Sequence, residues 1–124
     1  MKRDRKPIEW IGSCLKDLRE FPEDVKDAIG VALDVAQQGD KHDAAKPLQG
    51  FGGAGVLEVI DDFDGDTYRA VYTVKFKGVV YALHAFQKKS KKGISTPKDE
   101  IDLVKKRLKA AEEHYKENYE RGRS

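Results

Sequence analysis

Two ten-residue runs, TYRAVYTVKF (Thr67–Phe76) and VVYALHAFQK (Val79–Lys88), flank the dipeptide Lys77–Gly78. Both run with a period of two, which sends successive side chains to opposite faces of a strand. The glycine between them signals a tight turn, so the runs are expected to pair as an antiparallel hairpin. In the first run Tyr68, Ala70, Tyr72, Val74 and Phe76 share one face, and Arg69, Val71, Thr73 and Lys75 share the other. In the second, Val80, Ala82, His84, Phe86 and Lys88 oppose Val79, Tyr81, Leu83 and Ala85. An isolated hairpin is marginal in water, so the rest of the chain must supply strands and helices to cover it.

Val56–Asp61 (VLEVID) supplies a third strand, joined to the hairpin by the turn DFDGD, and Ile8 and Trp10 suggest a short edge strand. Ser13 can N-cap a short helix, CLKDLREF, and Pro22 suits the first position of a second. Val25, Ala28, Ile29, Ala32, Leu33 and Ala36 form one apolar stripe, and Gly39 supplies a left-handed stop. These two helices read as an antiparallel pair. GDKHDAAKPLQGFGGAG reads as a plain loop, since its glycine spacing is not that of a phosphate-binding loop. Thr96, Pro97 and Asp99 open a last helix with a capping pattern, and Ile101, Val104, Leu108, Ala111 and Tyr115 mark its buried stripe. The 124 residues make one domain, 1–124, with 1–6 and 117–124 expected to fray. The fold class is α+β: a small antiparallel sheet with two N-terminal helices and a C-terminal helix. Helices are expected on one sheet face, leaving the other partly open for function.

The formal net charge is +2, so any argument about partners rests on local clustering. Cys14 stands alone, which excludes an internal disulfide and a multi-cysteine metal site. No apolar run reaches membrane length, and MKRDRKPIEW lacks the apolar core of a secretory signal. The expected location is the cytoplasm. DDFDGD fails as a calcium loop, because Thr67 stands where the turn glycine belongs. His42, His84 and His114 have no zinc-like spacing. No metal and no cofactor is expected.

Pairing across Lys77–Gly78 would bring Arg69 beside His84, Phe86 and Lys88, just ahead of Lys89, Lys91 and Lys92. Cations contact phosphates and gain from counterion release. An aromatic ring gives an unstacked base a platform, and a histidine can move a proton. The combination suits RNA. Each residue also has a plain alternative: His84 as a core histidine, Phe86 as core, the lysines as a solvated loop, and Arg69 paired with Asp61 or Asp62.

IEWIGSCLKDLREFPEDVKDAIG, KPLQGFGGAGVLEV, YRAVY and LHAFQKKSKKGISTPKDEI occur in one order and spacing over residues 8–115. Together they resemble the phage-derived branch of the HigB toxins in the RelE/ParE toxin superfamily. The resemblance implies the toxin of a type II toxin–antitoxin pair with a RelE-like fold. It implies metal-independent, ribosome-dependent mRNA cleavage, with the 2′-hydroxyl attacking the adjacent phosphate. The partners it implies are a cognate helix-turn-helix antitoxin and mRNA on the ribosome. By position, Arg69, His84 and Lys88 match the catalytic strand segments. Lys46, Phe86 and Lys89 match RNA-binding positions, and Lys91 and Lys92, beyond the strand end, are expected to bind RNA as cations against its phosphates. Two features depart from the pattern. Relatives often carry ELR in the first meander strand, whereas Ile60 holds the arginine's place here, and no tyrosine stands beside Lys88 and Lys89. The ParE branch inhibits gyrase instead, and a relic retaining antitoxin binding alone is the other alternative.

Overall fold

The computed structural model describes residues 5–52, 55–88 and 96–120. In chain order its elements are β1 (Ile8–Trp10), α1 (Cys14–Arg19), α2 (Glu23–Gln37), β2 (Ala45–Pro47), β3 (Val56–Phe63), β4 (Asp66–Thr73), β5 (Val80–Lys88) and α3 (Lys98–Tyr115). A π-helical turn, Lys116–Glu120, continues α3. The strands form one sheet in the order β1-β5-β4-β3-β2. All neighbours are antiparallel except β1, which pairs parallel with β5. The architecture is the expected α+β, and Ala45–Pro47 adds a strand within the segment read as a loop.

The β3–β4 turn follows from its sequence. Asp64 and Gly65 have φ of 52° and 86°. Positive φ at both central residues is the geometry that Asp-Gly favours in a two-residue hairpin. The β4–β5 connection differs from expectation. The last pair of the β4–β5 ladder is Thr73 with Tyr81, so the Lys77–Gly78 turn lies inside a longer loop. Gly78 has φ of 85°, and the Val79 N–H donates to the Phe76 carbonyl at 3.4 Å. Phe76 leaves the strand to pack edge-on against Tyr81, ring centroids 5.5 Å apart, so burial overrides the alternation.

Helices cover both sheet faces, not one. Against the first face α1 and α2 pack Cys14, Leu18, Phe21, Val25, Ile29 and Leu33 over Leu57, Val59, Tyr68, Ala70 and Tyr72. The stripe read from the sequence is the buried face of α2, and burying each of its large residues contributes about 1.5–3 kcal/mol. Against the second face Val104 and Ala111 of α3 pack near Val56, Val71, Tyr81 and Leu83. The strands are hydrophobic enough to be buried on both sides, which the polar residues of each run obscured.

A bulge in β5 changes which residues share a face. Val71 pairs with His84 but the next residue, Tyr72, pairs with Ala82, so Leu83 is the extra residue. Leu83 and His84 therefore both turn toward α3, and Ala82 and Ala85 both turn toward α1 and α2. The expected grouping of His84 with Val80 and Ala82 holds only from His84 onward. Arg107 Nη1 donates to the Leu83 carbonyl at 3.0 Å, satisfying an acceptor at the bulge.

Arg5, Lys6 and Tyr119, near the ends of the described residues, are bonded to the body of the fold. The Lys6 N–H donates to the Gln37 carbonyl, and Arg5 bonds Asp34. Tyr119 Oη donates to Glu9 Oε2 at 2.8 Å. Among the described residues no helix is long and apolar enough to cross a membrane.

Candidate functional site

Sheet register places the candidate residues in three rows on the α3 side. Lys46, Glu58, Val71 and His84 form the first row across β2, β3, β4 and β5. Ile60, Arg69 and Phe86 form the second, and Asp62, Thr67 and Lys88 the third. Cross-strand neighbours on one face stand about 5 Å apart, so the expected grouping of Arg69, His84, Phe86 and Lys88 on one sheet surface is realised.

That surface is not open. Arg69 is 3% exposed and its Nη1 lies 3.2 Å from Glu58 Oε2, itself on a side chain 11% exposed. The same Nη1 donates to Thr96 Oγ1 at 2.9 Å, and Thr96 Oγ1 donates on to Glu58 Oε2 at 2.5 Å. Arg69 thus sits in a closed triangle of charge-assisted hydrogen bonds. Its carboxylate partner is Glu58 rather than Asp61 or Asp62; Asp62 instead accepts from Thr67. Thr96 is drawn from its expected capping role by this triangle. Pro97 takes the N-cap position of α3, with no side-chain cap.

His84 is also enclosed, at 5% exposure. Its Nε2 lies 2.6 Å from Glu100 Oε1 and its Nδ1 lies 3.3 Å from Arg107 Nη1. A guanidinium can donate but not accept, so Nδ1 is the acceptor and the ring proton sits on Nε2, facing Glu100. Arg107 also reaches Ser13 Oγ at 3.1 Å, and Ser13 donates to Asp17. Phe86 is half-buried and stacks on the His84 ring with centroids 4.8 Å apart. The plain reading of His84 as a satisfied core histidine describes its surroundings. Lys88 is half-buried at the end of β5, and Lys46 is exposed on β2. Lys89, Lys91 and Lys92 lie outside the described residues.

Two concavities flank these groups, and their charge differs. The larger, about 970 Å³, has Lys46, Lys98 and Lys105 at its rim and Pro47, Leu48, Ile60 and Ile101 among its walls. Glu58 and Thr96 of the Arg69 triangle line it as well. The smaller, about 570 Å³, carries Asp17, Glu20 and Glu100 beside Phe21 and Phe86. Asp102 lines the first as well and pairs with Lys98 at 3.1 Å, so Lys46 and Lys105 supply its excess positive charge, whereas the charged side chains lining the second are, among the described residues, carboxylates. Burial pushes Tyr72 up to about 12 and raises Tyr81 also, so neither hydroxyl ionises near neutrality. Among the described residues no group of His, Cys, Asp or Glu could hold a metal ion.

Sequence reasoning did not find Glu58, Thr96, Glu100 or Arg107. One signal was available for Glu58, which stands two residues from Ile60 and so on its face of β3. The α3 residues lie on a helix whose mixed charges read as a solvated face, and nothing local distinguishes the charges turned inward.

Residues 16–109 match a family described as Phage derived protein Gp49-like (DUF891). A search of curated proteins returns no significant match. Among solved structures, the chain is similar to a double arginine-to-alanine variant of the E. coli toxin RelE in the free state. That likeness has 17% identity and a TM-score of 0.55, and it covers 86% of this chain and 97% of that one. It is similar also to the isolated E. coli RelE toxin, with 20% identity and a TM-score of 0.52, over 82% of this chain and 97% of that one. These likenesses are ones of fold. With three-quarters of its length inside the family match, the chain belongs to the Gp49-like family of phage-derived proteins and has the fold of the RelE toxin.

Proposed function

We propose that this protein is the toxin of a type II toxin–antitoxin pair and acts as a metal-independent, ribosome-dependent mRNA endonuclease. One observation carries the reading: in a RelE fold, the lysine-rimmed cavity of Lys46, Lys98 and Lys105 lies directly over the Arg69 triangle. RNA entering there meets cations that offset its phosphate charge. Arg69 and Lys88 stabilise the charge that develops when a 2′-hydroxyl attacks the adjacent phosphate. Phe86, stacked on the His84 ring, lines the acidic concavity and so stands outside the lysine-rimmed path. His84 takes a proton from the reaction only after Arg107 releases Nδ1. A cognate helix-turn-helix antitoxin neutralises the toxin in the cytoplasm.

A second reading is a toxin relic that retains antitoxin binding alone. It is favoured by Ile60, an exposed aliphatic side chain beside an arginine already neutralised by Glu58. Controlled expression with mapping of new 5′ ends on translated messages separates the two. The nuclease reading expects growth arrest and discrete cuts, both lost in Lys46→Ala/Lys88→Ala, whose side chains bear none of the fold's buried bonds. Normal growth with intact messages would select the relic. Intact messages with broken or relaxed DNA would point to gyrase.

A further inference from the structure

The lysine-rimmed cavity is a trough between α3 and the β2–β3 edge of the sheet. Lys98 and Lys105 stand on the same helix, about 10 Å apart along its axis, with Ile101 between them. Facing them, β2 supplies Lys46 and Pro47, the residue after it is Leu48, and β3 supplies Ile60. Ile60 is 41% exposed, and among the described residues Val31 is the other large hydrophobic side chain left so open. Ile60 does not stand alone on the surface, because Pro47, Leu48 and Ile101 line the same cavity. A contiguous apolar surface with a charged rim is the usual form of an interaction site.

The walls and the rim call for different groups on one ligand. None of the described lining residues is aromatic, so an unstacked base finds no ring to lie on. An aliphatic side chain fits the walls better, since its burial beside Ile60 takes apolar surface of both partners out of water. The rim calls for negative charge. Glu58 is held by Arg69 and Asp102 by Lys98, which leaves Lys46 and Lys105 as the excess. Lys105 lies 6.0 Å from the centroid of the Phe51 ring, which steadies its ammonium group. Residues 89–95 bring three lysines and no carboxylate, so their charge has the same sign.

We propose that this cavity also binds an acidic segment of a partner protein, which seats an aliphatic side chain against Ile60 and Ile101 and pairs flanking carboxylates with Lys46 and Lys105. RNA uses the lysines alone, through its phosphates; the protein segment uses the lysines and the walls together. The two ligands exclude each other, so the segment inhibits by occupying the path of the message. That consequence rests on the nuclease reading, with the antitoxin as the protein that carries the segment, whereas the binding itself does not.

The test uses the full chain, a synthetic peptide of glutamates around a central leucine, the same peptide with serine for leucine, and a short oligouridine. Affinities are read by NMR chemical-shift titration. Expected is saturable binding of the leucine peptide, with shifts at Ile60 and Ile101 and displacement of oligouridine. The serine peptide should bind roughly tenfold more weakly, the scale of burying one leucine. Ile60→Asn, at an exposed position, should weaken the leucine peptide about fivefold and leave oligouridine binding unchanged. Lys46→Ala should weaken both ligands. No saturation by millimolar leucine peptide overturns the proposal, and so does equal binding of the two peptides. An equal loss of peptide and oligouridine in Ile60→Asn would assign the walls to RNA and overturn it. A doubled mass in solution with Ile60 already shielded would assign them to a second copy and overturn it also. The nuclease reading is judged separately: peptide binding by a protein whose expression leaves messages intact upholds this proposal and discards that reading, and cut messages without peptide binding do the reverse.

Discussion

Arg107 Nη1 stands 3.3 Å from His84 Nδ1, and the two groups can bond in one sense only. The guanidinium donates, so the imidazole proton lies on Nε2 and reaches Glu100 Oε1 at 2.6 Å. This fixes a tautomer, which ¹⁵N–¹H correlation spectra of labelled imidazole rings report directly. The expected pattern for His84 is a protonated Nε2 and a bare Nδ1. Arg107→Met should scramble it by removing the donor. His84→Ala leaves Glu100 and Arg107 without their shared partner and should cost about 2–3 kcal/mol in denaturant unfolding.

Arg69 and Glu58 form a buried ion pair, and this governs how any Arg69 variant is to be read. Arg69→Met strands a carboxylate that is 11% exposed and should cost about 3–5 kcal/mol, while Arg69→Met/Glu58→Leu should recover most of it. On the proposed reading, a loss of growth arrest in Arg69→Ala alone would therefore report unfolding as readily as chemistry. The double variant separates them when set beside Glu58→Leu: if both fold and growth arrest is lost only in the double variant, Arg69 acts on RNA.

The hairpin, the α2 stripe, the Asp64–Gly65 turn and the shared row of Arg69 and Phe86 were all legible, because each is set by residues a few positions apart. The bulge at Leu83 was not. The Leu83 carbonyl there is satisfied by Arg107, a residue on the last helix, and alternation cannot announce an inserted residue. Covering of the second sheet face was obscured for a related reason. Arg69 and Thr73 lie on the less apolar face of their run, and His84 read equally as a site group or a core histidine, but all three are buried with polar partners. Sequence periodicity distinguishes polar from apolar side chains; it does not show that Glu58, Thr96 and Glu100 would arrive to satisfy them.

Cys14 is 2% exposed, and burial pushes its thiol up to about 12, with Arg107 lowering it and Asp17 raising it by smaller amounts. The thiol is the nucleophile only as thiolate, so native Cys14 should resist iodoacetamide at pH 8. Labelling should appear with denaturant at the unfolding midpoint, read as a mass increase. Rapid labelling of the native protein would contradict the packing of α1.

Asp61 is a carboxylate raised above its ordinary value, chiefly by burial and then by Asp62 and Asp24. The folded state therefore binds its proton more readily than the unfolded chain does. Stability from this residue is greatest at low pH, and falls as pH rises through the ordinary carboxylate range and up to the raised folded value. Above that window the charge is a net liability, and salt screens the part that comes from its neighbours. Asp61→Asn should thus stabilise the protein at pH 7 by about 0.5 kcal/mol, the size of a screened like-charge contact on a sheet. The gain should shrink toward zero at pH 3, where the parent carboxyl is already protonated, and should be smaller in 1 M salt than in 50 mM. Thermal unfolding of both proteins at those two pH values and two salt concentrations measures it. A variant that is destabilised at pH 7 would mean that Asp61 makes a favourable interaction outweighing the repulsion from Asp62 and Asp24.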